Sequence, residues 1–224
     1  MSVLYGVGVG PGDPELLTLK ALRVIKESDM IAIPAEDKAS CTAYNIVKQA
    51  LPEIEDKPCL FIVMPMTKDK SILEEYHDKG AGMLKDELEA GKKIAFLTLG
   101  DPTVYSTYMY LHKRLITEGY EAEVISGIPS FCAVAARLAD SLAENSEKLH
   151  IIPGSYSLET ALSLSGTKVF MKTGKKLKEL KQQLKEYGLQ ASMVENCGME
   201  GEKVYRSLEE IPEEAGYFSL LIVK

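Results

Sequence analysis

Apolar residues along this chain fall in short runs separated by longer stretches in which apolar and charged positions recur with a helical period. Runs at residues 2–9 (SVLYGVGV), 30–34 (MIAIP), 60–65 (LFIVMP), 93–100 (KIAFLTLG) and 122–127 (AEVISG) read as buried strands. Residues 18–28, 42–51, 73–91 and 103–119 carry amphipathic patterns that predict helices between them. Strands alternating with helices predict an α/β protein with a largely parallel sheet. Beyond residue 127 the pattern changes. An apolar helix at 129–138 is followed by strands at 149–154, 167–174, 191–197, 202–208 and 217–224, with fewer helices between them. Strands that follow one another without a crossover must pair antiparallel, so a mixed sheet is expected. The Gly- and Pro-bearing segment SGIPS marks the change, giving an N-terminal domain over 1–126 and a C-terminal domain over 127–224.

Composition narrows the chemistry. With 224 residues, 46% of them hydrophobic, the chain can bury one large core or two modest ones. The net charge of -7 and the scatter of basic residues outside the run at 172–185 leave a nucleic-acid or membrane-surface role without electrostatic support. No apolar run approaches the roughly 20 residues that span a bilayer, and MSVLYGVG lacks the features of a signal peptide, so a cytoplasmic location is expected. Cys41, Cys59, Cys132 and Cys197 never form C-x-x-C and read as free, mostly buried thiols. His77, His112 and His150 lack metal-type spacing, so no metal site is expected, and His112, on a helix rich in Tyr and Leu, reads as structural.

The segment GVGVGPGDPELLTLKA, residues 6–21, places four glycines where the first strand hands over to a helix. It fails the dinucleotide fingerprint G-x-G-x-x-G, because the last position falls on Pro11 or Asp13, and it lacks the Gly-Lys of a phosphate loop. Asp13 reads as a helix cap and Pro14 as a first helical residue. Similar loops at 100–105, 126–130 and 195–198 also follow apolar strands. Ligands of open α/β sheets sit beyond the carboxyl ends of strands, so the residues alone point to a polar cleft lined by these four loops.

The segments VGVGPGDPELLTLKALRVI, LTLGDPTVYSTYMYL, VISGIPSFCAVAARL and VENCGMEGEKVY resemble, in order and over essentially the whole chain, the motifs of the tetrapyrrole methylases. These are S-adenosylmethionine-dependent enzymes of corrin and sirohaem synthesis. GDPTVYSTYMYL, VFMKTGK and ENCGMEGEKVY are most similar to the branch that methylates C20 of precorrin-2 or its cobalt form. The resemblance implies the two-domain α/β/α fold of class III S-adenosylmethionine methyltransferases, with the donor in the interdomain cleft and a homodimeric assembly. It further implies that Gly8, Gly10, Gly12, Asp13 and Tyr108 line the trough for the tetrapyrrole, and that Pro11 approaches the donor. Leu99, Gly100 and Asp101 would meet the methionine portion, with Val104 nearby. Pro129 and Ser130 stand where relatives often carry Thr-Ala, and Met171 and Cys197 match positions that flank the adenine. By location, Asp101, Tyr105 and Tyr108 are the candidates for moving a proton, although a tyrosine on an apolar helical face is more often core. Arg137, Lys172, Lys175 and Lys176 could meet the acceptor's carboxylates. The alternatives are a family methylase acting on uroporphyrinogen III or another corrin position, a dinucleotide-dependent oxidoreductase, and a non-catalytic ligand-binding module.

Overall fold

The computed structural model describes residues 2–154 and 156–224, and of Lys175 only the backbone. The chain forms two compact units, Met1–Pro129 and Ser130–Lys224.

The first unit is built on a five-stranded, all-parallel sheet of β1 (Val3–Gly8), β2 (Met30–Ile33), β3 (Cys59–Phe61), β4 (Lys93–Thr98) and β5 (Ala122–Ile125), in the order β3-β2-β4-β1-β5. Its helices are α1 (Leu19–Glu27), α2 (Thr42–Ala50), α3 (Lys70–Glu89) and α4 (Tyr108–Thr117). Successive strand side chains point to opposite faces, and β4 shows how that alternation divides the core. Ala95 and Leu97 pack with Val24 and Ile25 of α1 and with Tyr44, Ile46 and Val47 of α2. Ile94 and Phe96 pack on the other side with Ala81, Leu84 and Leu88 of α3 and with Leu111 and Leu115 of α4. A sheet covered on both faces has no polar side, which is why these strands read as continuous apolar runs.

The second unit holds β6 (Leu149–Pro153), β7 (Thr167–Met171), β8 (Ala191–Glu195), β9 (Lys203–Tyr205) and β10 (Ser219–Val223), in the order β6-β7-β10-β8-β9. β6 and β7 are parallel, and the remaining pairs are antiparallel, which is the mixed sheet the late strands implied. Its helices are α5 (Ser130–Leu138), α6 (Leu158–Leu162) and α7 (Leu177–Glu186). One face packs Val134, Ala135 and Leu138 of α5. The other packs Leu158, Ala161 and Leu162 of α6 and Leu177, Leu180 and Leu184 of α7.

Several elements differ from their sequence-based bounds. The helix expected over 103–119 starts only at Tyr108, because Asp101 and Ser106 bond local main chain and Tyr105 adopts a left-handed φ of 49°. The strand at 60–65 shortens to Cys59–Phe61, and that at 202–208 to Lys203–Tyr205. α3 begins earlier than expected, at Lys70, where the Asp69 carboxylate accepts from Ser71 N at 2.9 Å. Of the four thiols only Cys41 is buried; Cys59 and Cys197 are half-buried and Cys132 is exposed, so the expectation of mostly buried cysteines fails. Cys132 lies on the solvent side of α5, whose buried side is taken by Ala133, Val134, Ala135 and Leu138.

Candidate active site

Because β4, β1 and β5 are neighbours and parallel, the loops that leave their carboxyl ends emerge along one edge of the first unit's sheet. Main-chain contacts join these loops. Gly10 and Gly100 form an antiparallel bridge, with Gly100 N donating to Gly10 O at 2.8 Å and Gly10 N to Gly100 O at 3.3 Å. A Cβ on Gly127 would lie 2.2 Å from Gly100 O and 2.8 Å from Gly8 Cα, and one on Gly8 would lie 2.5 Å from Gly127 N. These distances exclude any side chain, so glycine at 8 and 127 is required by the close approach of three chain segments. For Gly8 this is a nearer cause than room for a flat ligand. Gly10 and Gly100 carry φ of 78° and 72°, which glycine adopts without strain.

Asp101 is the side chain that completes this junction. It is buried, and Oδ2 accepts from Gly127 N at 3.0 Å. Oδ1 accepts from Thr103 N at 2.8 Å and from Thr103 Oγ1 at 2.5 Å. Both carboxylate oxygens therefore hold protein groups, which places Asp101 in the scaffold of the loops and weakens its candidacy as the proton-moving group. Tyr105 is different. It is 55% exposed and left-handed on the same loop, a conformation that costs a non-glycine residue about 1 kcal/mol or more.

Tyr108, expected beside the tetrapyrrole, is instead fully buried. Its ring lies flat against Gly6, where a Cβ would come 2.0 Å from Tyr108 Cε1, and its hydroxyl bonds His112 Nδ1 at 3.0 Å. Burial pushes its phenol pKa up, as expected for a hydroxyl that stays neutral in the core. His112 thus has the structural role its helix suggested. Asp13 caps a 3-10 turn, Pro14–Leu16, by accepting from Glu15 N at 2.8 Å, while Pro11 and Gly12 are buried beside it. Leu99, Val104 and Pro129 are half-buried on the same edge.

Within the second unit, the carboxyl ends of β7 and β8 carry the other expected residues. Met171 ends β7, half-buried against Val169, Leu220 and Val194. Lys172 follows with φ of 59°, its ammonium 5.2 Å from the Tyr217 ring centroid, and Lys176 Nζ donates to Tyr156 O at 3.3 Å. The side chain of Lys175 lies outside the described residues. Ser130 opens α5. Arg137, expected at acceptor carboxylates, pairs with Glu202 instead. Cys197 is half-buried in the turn between β8 and β9.

Three polar residues escaped the sequence reading. Thr98, at the end of β4, has a buried hydroxyl with no hydrogen-bond partner among the described residues, and the same holds for Thr173 and Ser219 in the second unit. Ser219 pairs across the ladder with Glu195, a buried carboxylate that accepts from Gly216 N at 2.6 Å. A polar residue at one end of an otherwise apolar strand, as in KIAFLTLG, ASMVENC and YFSLLIVK, is the signal that would have found Thr98, Glu195 and Ser219.

Residues 3–212 match the model of the family described as Tetrapyrrole (Corrin/Porphyrin) Methylases. The chain belongs to this family. Among methylase relatives, a probable cobalt-precorrin-2 C(20)-methyltransferase of Methanocaldococcus jannaschii is 39% identical, covering 99% of this chain and 95% of the relative. A cobalt-precorrin-2 C(20)-methyltransferase of Salmonella typhimurium is 32% identical, covering 98% of this chain and 95% of its own length. In fold, the chain resembles uroporphyrin-III C-methyl transferase from Thermus thermophilus complexed with S-adenosyl homocysteine, at 22% identity and a TM-score of 0.69 over 98% of this chain and 91% of that one. The tetrapyrrole methylase fold, an all-parallel N-terminal sheet and a mixed C-terminal one, is the fold described above.

Proposed function

We propose that this tetrapyrrole methylase transfers a methyl group from S-adenosylmethionine to C20 of a precorrin-2-type macrocycle, metal-free or cobalt-loaded, in cobalamin biosynthesis. The observation that carries the reading is the 39% identity to a probable cobalt-precorrin-2 C(20)-methyltransferase across 99% of the chain. Residues present at the strand ends fit such a donor. Bare main chain at Gly10 and Gly100 and an unpartnered buried hydroxyl on Thr98 suit the polar methionine end. The half-buried Met171 and Cys197 suit an adenine held by main-chain bonds and apolar contact. When bound, the sulfonium supplies an electrophilic methyl with a neutral leaving group.

Since no leaving group must be protonated, the chain's main task is alignment, and holding reacting atoms about 3 to 3.5 Å apart can supply several kcal/mol of the barrier. Leu99, Gly100 and Pro11 position the donor, with Val104, Pro129 and Ser130 beside them, and the junction held by Asp101 keeps these loops fixed. Gly10, Gly12 and Asp13 line the acceptor side. Tyr105, exposed on the loop of Asp101, is the side chain that hydrogen-bonds the acceptor while the proton released by the methylated carbon passes to water. We take the working protein to be a cytoplasmic homodimer, for which sedimentation at twice the chain mass is the check.

The test is incubation with methyl-labelled S-adenosylmethionine and precorrin-2, with and without cobalt, followed by NMR of the product. Label at C20 is the expected outcome. Label at another ring position would reassign the regiochemistry, and an unlabelled macrocycle would overturn the proposal.

A further inference from the structure

The turn at residues 196–202 joins β8 to β9 and holds three left-handed residues, Asn196 (φ 52°), Gly198 (φ 73°) and Gly201 (φ 77°). Such a turn has many alternative paths unless something inside it selects one. Main-chain bonds fix its ends: Asn196 N donates to Phe218 O at 3.0 Å, and Glu202 N to Met199 O at 3.2 Å. Within it, Met199 N donates to Asn196 O at 2.9 Å and Asn196 Nδ2 to Gly201 O at 3.4 Å, and one carboxylate ties the Cys197–Gly198 segment to α5. Glu202 Oε2 accepts from Gly198 N at 2.9 Å, Oε1 accepts from Arg137 Nε on α5, and the Cys197 thiol also bonds it. Arg137 is carried by a helix whose Val134, Ala135 and Leu138 pack on the sheet, so the turn is tied to a rigid element.

We propose that Glu202 is a positioning residue for the methyl donor: it sets the Cys197–Gly198 main chain in the one arrangement that can flank the adenine. The inference rests on the reading that Cys197 adjoins the donor's base. Where main-chain groups recognise a base, side chains at the contact are free to vary, but the path of the backbone is not. Here that path is chosen by a side chain that need not touch the ligand. The Gly198 amide, foremost, and the Arg137 guanidinium hold the Glu202 carboxyl below its ordinary range, so the tie is ionised at neutral pH. Arg137 is 52% exposed against 20% for Glu202, so the exposed ion pair is the weaker part of the tie and the bond to Gly198 the stronger.

Glu202→Gln preserves volume but removes the charge that draws three donors to one group. The expected result is a fall of about tenfold in affinity for S-adenosylhomocysteine by titration calorimetry, and a like rise in KM for the donor. The KM for the macrocycle and kcat at saturating donor should hold within about twofold. Glu202→Asp, which keeps the charge but falls one methylene short of Gly198, should show the same donor-specific loss and serves if the first variant folds poorly. Wild-type donor affinity in both variants, or parallel losses in both KM values and thermal midpoint, would overturn the inference while leaving the function intact. Failure of the unaltered protein to bind S-adenosylhomocysteine would overturn the function and this inference together.

Discussion

Asp101 and Tyr105 sit four residues apart on one loop, and the structure separates their roles. Asp101 serves buried main chain, so Asp101→Asn replaces an acceptor oxygen with a donor facing either Gly127 N or Thr103. We expect a loss of about 2 kcal/mol in stability, read as a lowered urea midpoint, with activity lost as the loops separate. Tyr105→Phe keeps the ring and loses the hydroxyl. Turnover should drop about a hundredfold with the urea midpoint unchanged, and undiminished turnover would remove Tyr105 from the proton's path. At Gly127 no side chain fits, because a Cβ would sit 2.2 Å from Gly100 O. Gly127→Ala should cost about 3 kcal/mol, measured by equilibrium unfolding. The glycines were legible as loop residues from their spacing alone. Their partners were not, since Gly8, Gly100 and Gly127 are brought together only by parallel strand pairing. A left-handed tyrosine also leaves no trace in a pattern of polar and apolar letters.

At the level of elements, α3 and α4 meet through His77, which stacks on Tyr110 with ring centroids 4.6 Å apart. Its Nδ1 is buried without a partner among the described residues. Burial, and then the Arg114 guanidinium, lower the His77 pKa below 6.5, while Glu74 and Asp78 act in the other direction; burial lowers that of His112 too. Because the folded values lie below the unfolded one, the folded state takes up protons less readily. Their stabilisation is therefore whole above about pH 6.5 and is lost as pH falls from there through the folded pKa values. Urea midpoints should fall between pH 7 and 5, and His77→Gln should flatten that dependence; an unchanged slope would exclude His77 as its source. The same scale shows where the pattern was readable. Strands of the first sheet stood out because both faces are covered. The lysine run at 172–185 reads as a solvated helix face, and helix α7 lies there, with Leu177, Leu180 and Leu184 recurring at helical spacing beneath the charges.

For the molecule as a whole, fold class and family were legible because strand–helix alternation and the order of the glycine loops survive in a single sequence. What was not legible was which polar groups the protein keeps for itself. Arg137 and Tyr108 read as ligand contacts by type and position, yet one is bound to Glu202 and the other lies under Gly6. The junction at Gly8, Gly100 and Gly127 has a practical corollary for anyone wishing to retarget this catalyst to a different pigment. Its three crossing segments touch through atoms every amino acid shares, so that point offers no side chain to exchange and tolerates no added one. Redesign has to begin downstream, at the outward-facing Thr107, where new shapes can be tried without prying the strands apart.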